Sequence, residues 1–265
     1  MTTSKMKLLI VTHCYAFELP QYGVFMRSQL KSLLEFPPQK CDWKLHVICW
    51  EFDTEITKWL QKASEKMPDK IYVTAYMGKG PVFRRAVGRN LAAKINTHDL
   101  VWFTDVDHIF HEGCLDALAD VWEGFGDKKP PMIFPKTIKV QKSFEEADKF
   151  WIDALKKPRN QFHFPPLDHF EDKHYNRAIG GVQICSGPLV RQIGYLDGDP
   201  LCQSTDGRVP FPDFRDDVKF RSEIGRYGDI VPIELPGLYR LRHTKTTYQG
   251  QVHMKEIAHD HNESL

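Results

Sequence analysis

Two aspartates one residue apart, Asp105 and Asp107, follow the run Leu100-Val-Trp-Phe-Thr104. The apolar stretch reads as a buried strand, so both carboxylates stand just past a strand end. That spacing can aim them at one divalent ion, directly or through water. Mg²⁺ and Mn²⁺ favour such oxygen ligands and complete their shells with water and substrate phosphate. Asp-x-Asp alone is common in surface turns, and here it could simply cap a helix starting near Gly113. The strand before it and the residues beyond it give it weight. A second pair, Asp216 and Asp217, lies between Phe214 and Phe220 and has the type needed to take a proton from a hydroxyl. Read alone, that pair is an acidic first turn favoured by a helix dipole. His243, with Arg242 and Lys245 beside it, is a metal ligand by type and a surface histidine by setting. Arg84, Arg85 and Arg89 lie at a helix start, and their guanidiniums suit charge-assisted, bidentate contact with phosphate.

The elements that must position these residues alternate. Lys7 to Thr12 is a strand running into a loop with His13 and Tyr15. Met26, Leu30, Leu33 and Leu34 share a helical face, and Pro37-Pro38 stops that helix. Lys44 to Trp50 is a second strand, and Ile56, Leu60 and Ala63 mark a second helix. Ile71 to Tyr76 is a third strand, followed by a turn at Gly78-Lys-Gly-Pro81. Val87, Leu91 and Ile95, spaced by four, mark the helix leading to the strand before Asp105. A β-α-β-α-β-α-β series argues for a Rossmann-like, mostly parallel central sheet flanked by helices. In such sheets ligands bind beyond the carboxyl ends of the strands, where Asp105 and Asp107 fall.

The second half reads differently. Pro130 to Pro135 is an expected edge strand bounded by prolines. Ser143 and Glu146 form a capping-box pattern before a helix with Phe144, Ala147, Trp151 and Leu155 on one side. Residues 158–177 hold three prolines, several aromatics and His163, His169 and His174, and read as a long irregular segment of the sort used for lids or binding surfaces. The tail histidines His253, His259 and His261 are expected to be solvated.

At 265 residues the chain has ample length for a substantial core. Lys plus Arg is 36 and Asp plus Glu 35, a net charge of +1, so no nucleic-acid partner is expected. No apolar run approaches the roughly 20 residues of a spanning helix, and the first residues lack a signal-peptide core. The six cysteines are scattered with no Cys-x-x-Cys pair, and Cys14, Cys49 and Cys185 are expected as small buried residues. The expected setting is cytoplasmic, free or at the periphery of a membrane. The sequon at Asn262 then carries no glycan.

Several segments, in order, resemble the A-type glycosyltransferases of family 2 and its relatives. The stretch from Arg85 to Ala93, then Leu100 to Asp107, is similar to their Ala-Arg-Asn-x-Gly-like helix start and Asp-x-Asp strand. Ala178-Ile-Gly180-Gly181 resembles their Gly-Gly strand near donor and acceptor. Ile193-Gly-Tyr-Leu-Asp197 resembles a reduced Gly-Gly-Phe-Asp segment. Phe214 to Phe220 resembles the Glu-Asp-x-x-Phe element, with Asp216 in place of Glu. Tyr239 to His243 resembles the late segment whose His is a third metal ligand in several related families. The likeness runs over about residues 5–245.

This resemblance implies one A-type glycosyltransferase domain over 1–265. Residues 5–125 would form the nucleotide-sugar half, 126–248 the acceptor and catalytic half, and 249–265 a tail. It implies a metal-dependent transfer of sugar from a nucleoside diphosphate sugar, UDP before GDP, to a hydroxyl of a glycan, a lipid-linked glycan or another acceptor. Mn²⁺ or Mg²⁺ would be held by Asp107, with Asp105 and His243, and would act on the departing diphosphate as a Lewis acid. Asp105 would also reach the ribose. Thr12, Arg85, Arg89, Gly180 and Gly181 would contact the donor. The nucleoside-binding acid after the second strand is reduced to the candidates Glu51 and Asp53. Asp217, with Asp216 beside it, would serve as general base and give inversion; the alternative is retention, as in some families with this fold and a late metal-binding His. Two other classes fit the same sheet. A sugar-nucleotide nucleotidyltransferase usually has a Gly-rich, Arg-containing loop after its first strand, where this chain has His13 to Pro20. A non-catalytic sugar- or nucleotide-binding domain would be expected to lose a metal ligand or the base, and this chain keeps both.

Overall fold

The computed structural model describes residues 5–14, 20–77, 82, 84–156, 164–199, 202 and 216–243. Tyr15, the Gly78 to Pro81 turn, residues 158–163, Phe214 and the 249–265 tail lie outside them.

In chain order the elements are β1 (Met6–Cys14), α1 (Pro20–Glu35), β2 (Cys41–Trp50), α2 (Thr54–Lys66), β3 (Ile71–Tyr76), α3 (Arg85–Ile95), β4 (Leu100–Thr104) and β5 (His108–Phe110). There follow α4 (Cys114–Gly124), β6 (Met132–Pro135), β7 (Thr137–Gln141), α5 (Phe144–Leu155), β8 (Phe170–His174), β9 (Val182–Ser186), α6 (Gly187–Ile193), α7 (Asp216–Ile224), β10 (Ile230–Ile233) and β11 (Leu238–Arg240). The alternating first half is the expected one.

The central sheet has seven strands in the order β10-β6-β9-β4-β1-β2-β3. Every neighbouring pair is parallel except the two that β9 makes, with β4 and β6. Leu100, Val101, Trp102 and Phe103 of β4 are all 0% exposed. Burying side chains of this size contributes roughly 1.5–3 kcal/mol each. The end of β4, and so the backbone entering Asp105, is therefore firmly anchored.

Three details depart from the sequence reading. β6 is interior, between β10 and β9, although prolines flank it. Its ladder with β9 covers Met132 and Ile133 and stops before Pro135, so the missing N–H costs no bond there. Helix α3 exists, but Leu91 and Ile95 are exposed, and the buried face is Ala86, Gly88, Arg89, Ala92 and Ala93. Small residues are needed because the helix lies hard against the sheet. A Cβ on Gly88 would come within 2.6 Å of His13 Nε2 and of Ile48 Cδ1. Third, part of the segment read as irregular is ordered: Phe170–His174 is β8, the last member of a four-stranded sheet β5-β11-β7-β8.

Ser143 does cap α5, its hydroxyl accepting from the N–H groups of Glu145 and Glu146. The face α5 buries is Ala147, Trp151 and Ala154, with Phe144 and Leu155 outside. Cys14, Cys49 and Cys185 are buried, as are Cys41 and Cys114, and all six cysteines are free thiols. Among the described residues no helix is long and apolar enough to cross a membrane.

Candidate functional site

The turn from Asp105 to His108 joins the two sheets, and Gln29 fixes it. That buried side chain on α1 donates from its amide to the carbonyls of Asp105 and His108, both at 3.0 Å. Leu241 N–H donates to the Asp107 carbonyl at 2.8 Å, tying the turn to the end of β11. The two carboxylates leave this turn into different surroundings.

Asp105 meets the guanidiniums of α3. Its Oδ1 accepts from Arg85 Nη1 at 2.7 Å and lies 3.5 Å from Arg89 Nη2. Burial works against its ionisation, but Arg85 and Arg89 outweigh that and hold its pKa below the usual carboxylate range. The two arginines have different positions. Arg89 is 0% exposed, donating to Tyr195 Oη at 3.0 Å and to the Gly180 carbonyl at 2.8 Å, with its guanidinium against the rings of Phe103 and Tyr195. Arg85 keeps a 26% exposed side chain and reaches from Asp105 to Asp216, whose Oδ1 is 3.7 Å from Nη2. Of the two, Arg85 is part-exposed at this end of the sheet, and Arg89 is buried where it ties Asp105, Gly180 and Tyr195 together.

Gly180 and Gly181 precede β9. Because β9 runs antiparallel to β4, with Val182 opposite Thr104, both glycines arrive beside Asp105. A Cβ on Gly181 would come within 2.6 Å of His108 Cε1 and 2.8 Å of Asp105 Oδ2, so that position has no room for one. A Cβ on Gly180 would make ordinary contacts, 3.4 Å from Arg85 Nη2 and 3.5 Å from Asp217 Cβ. Gly180 thus lies between Arg85, the partner of Asp105, and the start of α7, with a methyl's width between them. There Asp216 is buried and Asp217 half-buried.

Asp107 turns the other way and is buried. One carboxylate oxygen accepts from Arg240 Nε at 2.9 Å and lies 3.6 Å from His243 Nε2; the other is 3.1 Å from His108 Nδ1. Burial opposes its charge, yet Arg240, His108 and His243 together hold its pKa well below the ordinary value. His243 rests on the rings of Tyr22 and Phe25. Among the described residues no three His, Cys, Asp or Glu side chains form a ready metal cluster. Asp107 and His243 do bring one carboxylate oxygen and one imidazole nitrogen within 3.6 Å of each other, a mixed pair that fits Mn²⁺ better than the all-oxygen shell of Mg²⁺.

Thr12, Glu51 and Asp53 stand at the same end of the sheet, on β1 and just beyond β2. Thr12 is fully buried with its hydroxyl unpartnered, Glu51 is exposed, and Asp53 is buried at the start of α2.

The fold that carries these residues has counterparts among solved structures. PcManGT, a mannosyltransferase from Pyrobaculum calidifontis solved with GDP-Man and Mn²⁺, is 14% identical with a TM-score of 0.52, over 94% of this chain and 60% of that one. TarS residues 1–349 from S. aureus is 15% identical with a TM-score of 0.55, over 89% and 60%. The same protein in complex with UDP gives 16%, 0.54, 88% and 60%.

The fold is that of the A-type glycosyltransferases.

At these identities the likeness is one of fold, and GDP-Man, UDP and Mn²⁺ are ligands of those proteins. The chain spans about 60% of their length. No family model and no curated protein matches the sequence. Four residues that shape this site were given no role by the motif reading: Gln29 and Gln183 are single polar groups amid apolar neighbours, and Tyr195 and Arg240 lie inside matched segments without being singled out. Gln29 carried a usable signal, since it shares a helical face with Met26, Leu30 and Leu33 and a buried glutamine there requires partners.

Proposed function

We propose that this chain transfers a sugar from a nucleoside diphosphate sugar, a UDP-sugar before a GDP-sugar, to an acceptor hydroxyl. The observation that carries the reading is the position of Gly180. Arg85, paired with the Asp105 carboxylate, lies on one side of that position, and the Cβ of the half-buried Asp217 lies on the other. Both stand at the carboxyl end of the central sheet, where this class of fold binds ligands.

Arg85 meets the donor phosphates through its part-exposed guanidinium, and Asp105, ionised by its arginine neighbours, accepts from the ribose hydroxyls. Thr12, Glu51 and Asp53 line the nucleoside side. Asp217 takes the proton of the acceptor hydroxyl as its oxygen bonds to the anomeric carbon. The bond from that carbon to the diphosphate breaks, its electron pair leaves with the diphosphate, and configuration inverts. Such general-base assistance is typically worth about 10²–10⁴-fold. A Mn²⁺ or Mg²⁺ held by Asp107 and His243 would supply Lewis-acid stabilisation of the leaving diphosphate. Asp216, buried against Arg85, keeps that guanidinium between the two halves of the cleft.

Calorimetric titration of UDP and GDP, with Mn²⁺ or EDTA, on the wild type and Asp107→Ala tests the reading. Metal-dependent binding of one nucleotide, lost in the variant, is the expected result. Binding of neither nucleotide in the presence of Mn²⁺ would overturn it.

A further inference from the structure

A continuous hydrogen-bonded chain crosses the interior beneath the cleft. Arg89 Nη1 donates to Tyr195 Oη at 3.0 Å, and Tyr195 O–H donates to Gln183 Oε1 at 3.1 Å. Gln183 Nε2 then donates to the Asp217 carbonyl at 2.9 Å. The same Arg89 holds Asp105 and the Gly180 carbonyl. Arg89, Gln183 and Tyr195 are all 0% exposed. Every donor points in one sense, from the guanidinium through phenol and amide to the peptide carbonyl. In a low-dielectric interior such chains polarise each link in turn. Burial pushes the Tyr195 phenol up, so it stays protonated and remains a donor.

The apolar packing around the chain holds it in register. Tyr195 stacks on Phe220 of α7 with ring centroids 4.0 Å apart and meets Phe103 of β4 edge-on at 4.9 Å. Phe103 pairs with Gln183 across the β4–β9 ladder. The strand that delivers Asp105 and the helix that delivers Asp217 thus share one aromatic contact and one polar chain.

We infer that Tyr195 and Gln183 are positioning residues that couple the Asp105 side of the cleft to the helix bearing Asp217. Displacing Arg89 at one end is transmitted through two side chains to the first turn of α7 at the other. The roles of the two ends rest on the donor-site reading above; the coupling itself does not.

Amide hydrogen exchange on the full chain tests it. Tyr195→Phe removes one oxygen and keeps the ring stack. It should speed exchange about tenfold in segment 216–224 and in segment 178–182, while segment 8–12 of β1 is unchanged. Gln183→Glu keeps the acceptor for Tyr195 and loses the donor to Asp217, so only segment 216–224 should loosen. With UDP or GDP and Mn²⁺ bound, the wild type should gain protection in segment 216–224. Tyr195→Phe should lose that gain with a Kd within about threefold, a split that simple destabilisation does not produce. A uniform rise in exchange over the whole chain would overturn the coupling, as would a change confined to residues next to position 195. If neither nucleotide binds the wild type, the donor reading fails, while exchange in the unliganded variants still decides the coupling.

Discussion

Arg240→Met should convert a resident ion pair into an open cation site. Asp107 has a side chain only 2% exposed, and its closest cation is Arg240 at 2.9 Å. Removing one partner of a buried pair strands the other charge and typically costs about 3–5 kcal/mol. For a chain of this size each kcal/mol lowers Tm by roughly 2–4 °C, so the variant in EDTA should melt on the order of 10 °C lower. Mn²⁺ at a hundred times its Kd returns about 2.7 kcal/mol to a state that binds it, more than half of that loss. In the wild type Mn²⁺ must first displace the guanidinium, so its gain is smaller. Thermal melts with and without Mn²⁺, together with Mn²⁺ electron paramagnetic resonance, read both effects. The recovery should disappear when Asp107→Asn is added to the variant. Equal Mn²⁺ responses in the wild type and Arg240→Met would show that the guanidinium and the metal do not share this carboxylate.

The glycines before β9 give a paired contrast. Gly181→Ala forces a methyl against His108 and Asp105 and should destabilise the chain by about 1–3 kcal/mol while weakening nucleotide binding. Gly180→Ala should melt normally and still lose turnover, because its methyl enters the gap between Arg85 and Asp217; calorimetry and chemical denaturation separate the two. Burial lowers the His46 pKa to about 4, while in the unfolded chain it returns to about 6.5. Its contribution is fully present above pH ~6.5 and is lost as pH falls towards 4, a total of about 3 kcal/mol. His46→Gln should flatten the urea-measured stability over that window, and an unchanged slope would refute the assignment. Ser143→Ala removes the α5 cap and should cost about 1 kcal/mol in the same assay.

The first half of the fold is legible because its apolar runs are long and its punctuation is strong. Four fully buried residues followed by two carboxylates leave little choice for β4. The buried face of α3 was not legible, because the rule that large apolar residues point inward fails where a helix must approach closely. Gly88 and three alanines do the packing there, and Leu91 and Ile95 stay outside. Prolines marked β6 as an edge, but only the missing N–H matters, and Pro135 lies beyond the last β9 pair. The second sheet was hidden because β5 and β11 are three residues each, too short to show a period. At the site, motif order brought Asp105, Asp216, Asp217 and the two glycines into one reading. It did not reveal that Arg89 is buried or that Asp107 is claimed by Arg240, since both follow from pairings across long stretches of chain.

The strand that runs against its neighbours in the central sheet, β9, has a consequence for how the molecule is made. During synthesis β1 to β4 emerge first and can pair among themselves, leaving β4 as an open edge that carries Trp102 and Phe103. The strand that closes this edge pairs Val101 with Cys185 and Phe103 with Gln183, and it is translated only after the long stretch from Asp105 to Gly181. At the ordinary elongation rate of about 5–20 residues per second, the unclosed edge persists for several seconds on the ribosome. A nascent chain stopped before β9 therefore presents an apolar strand ready to pair with another copy. The contact that brings Gly180 and Gly181 beside Asp105 is also the one that closes the β4 edge.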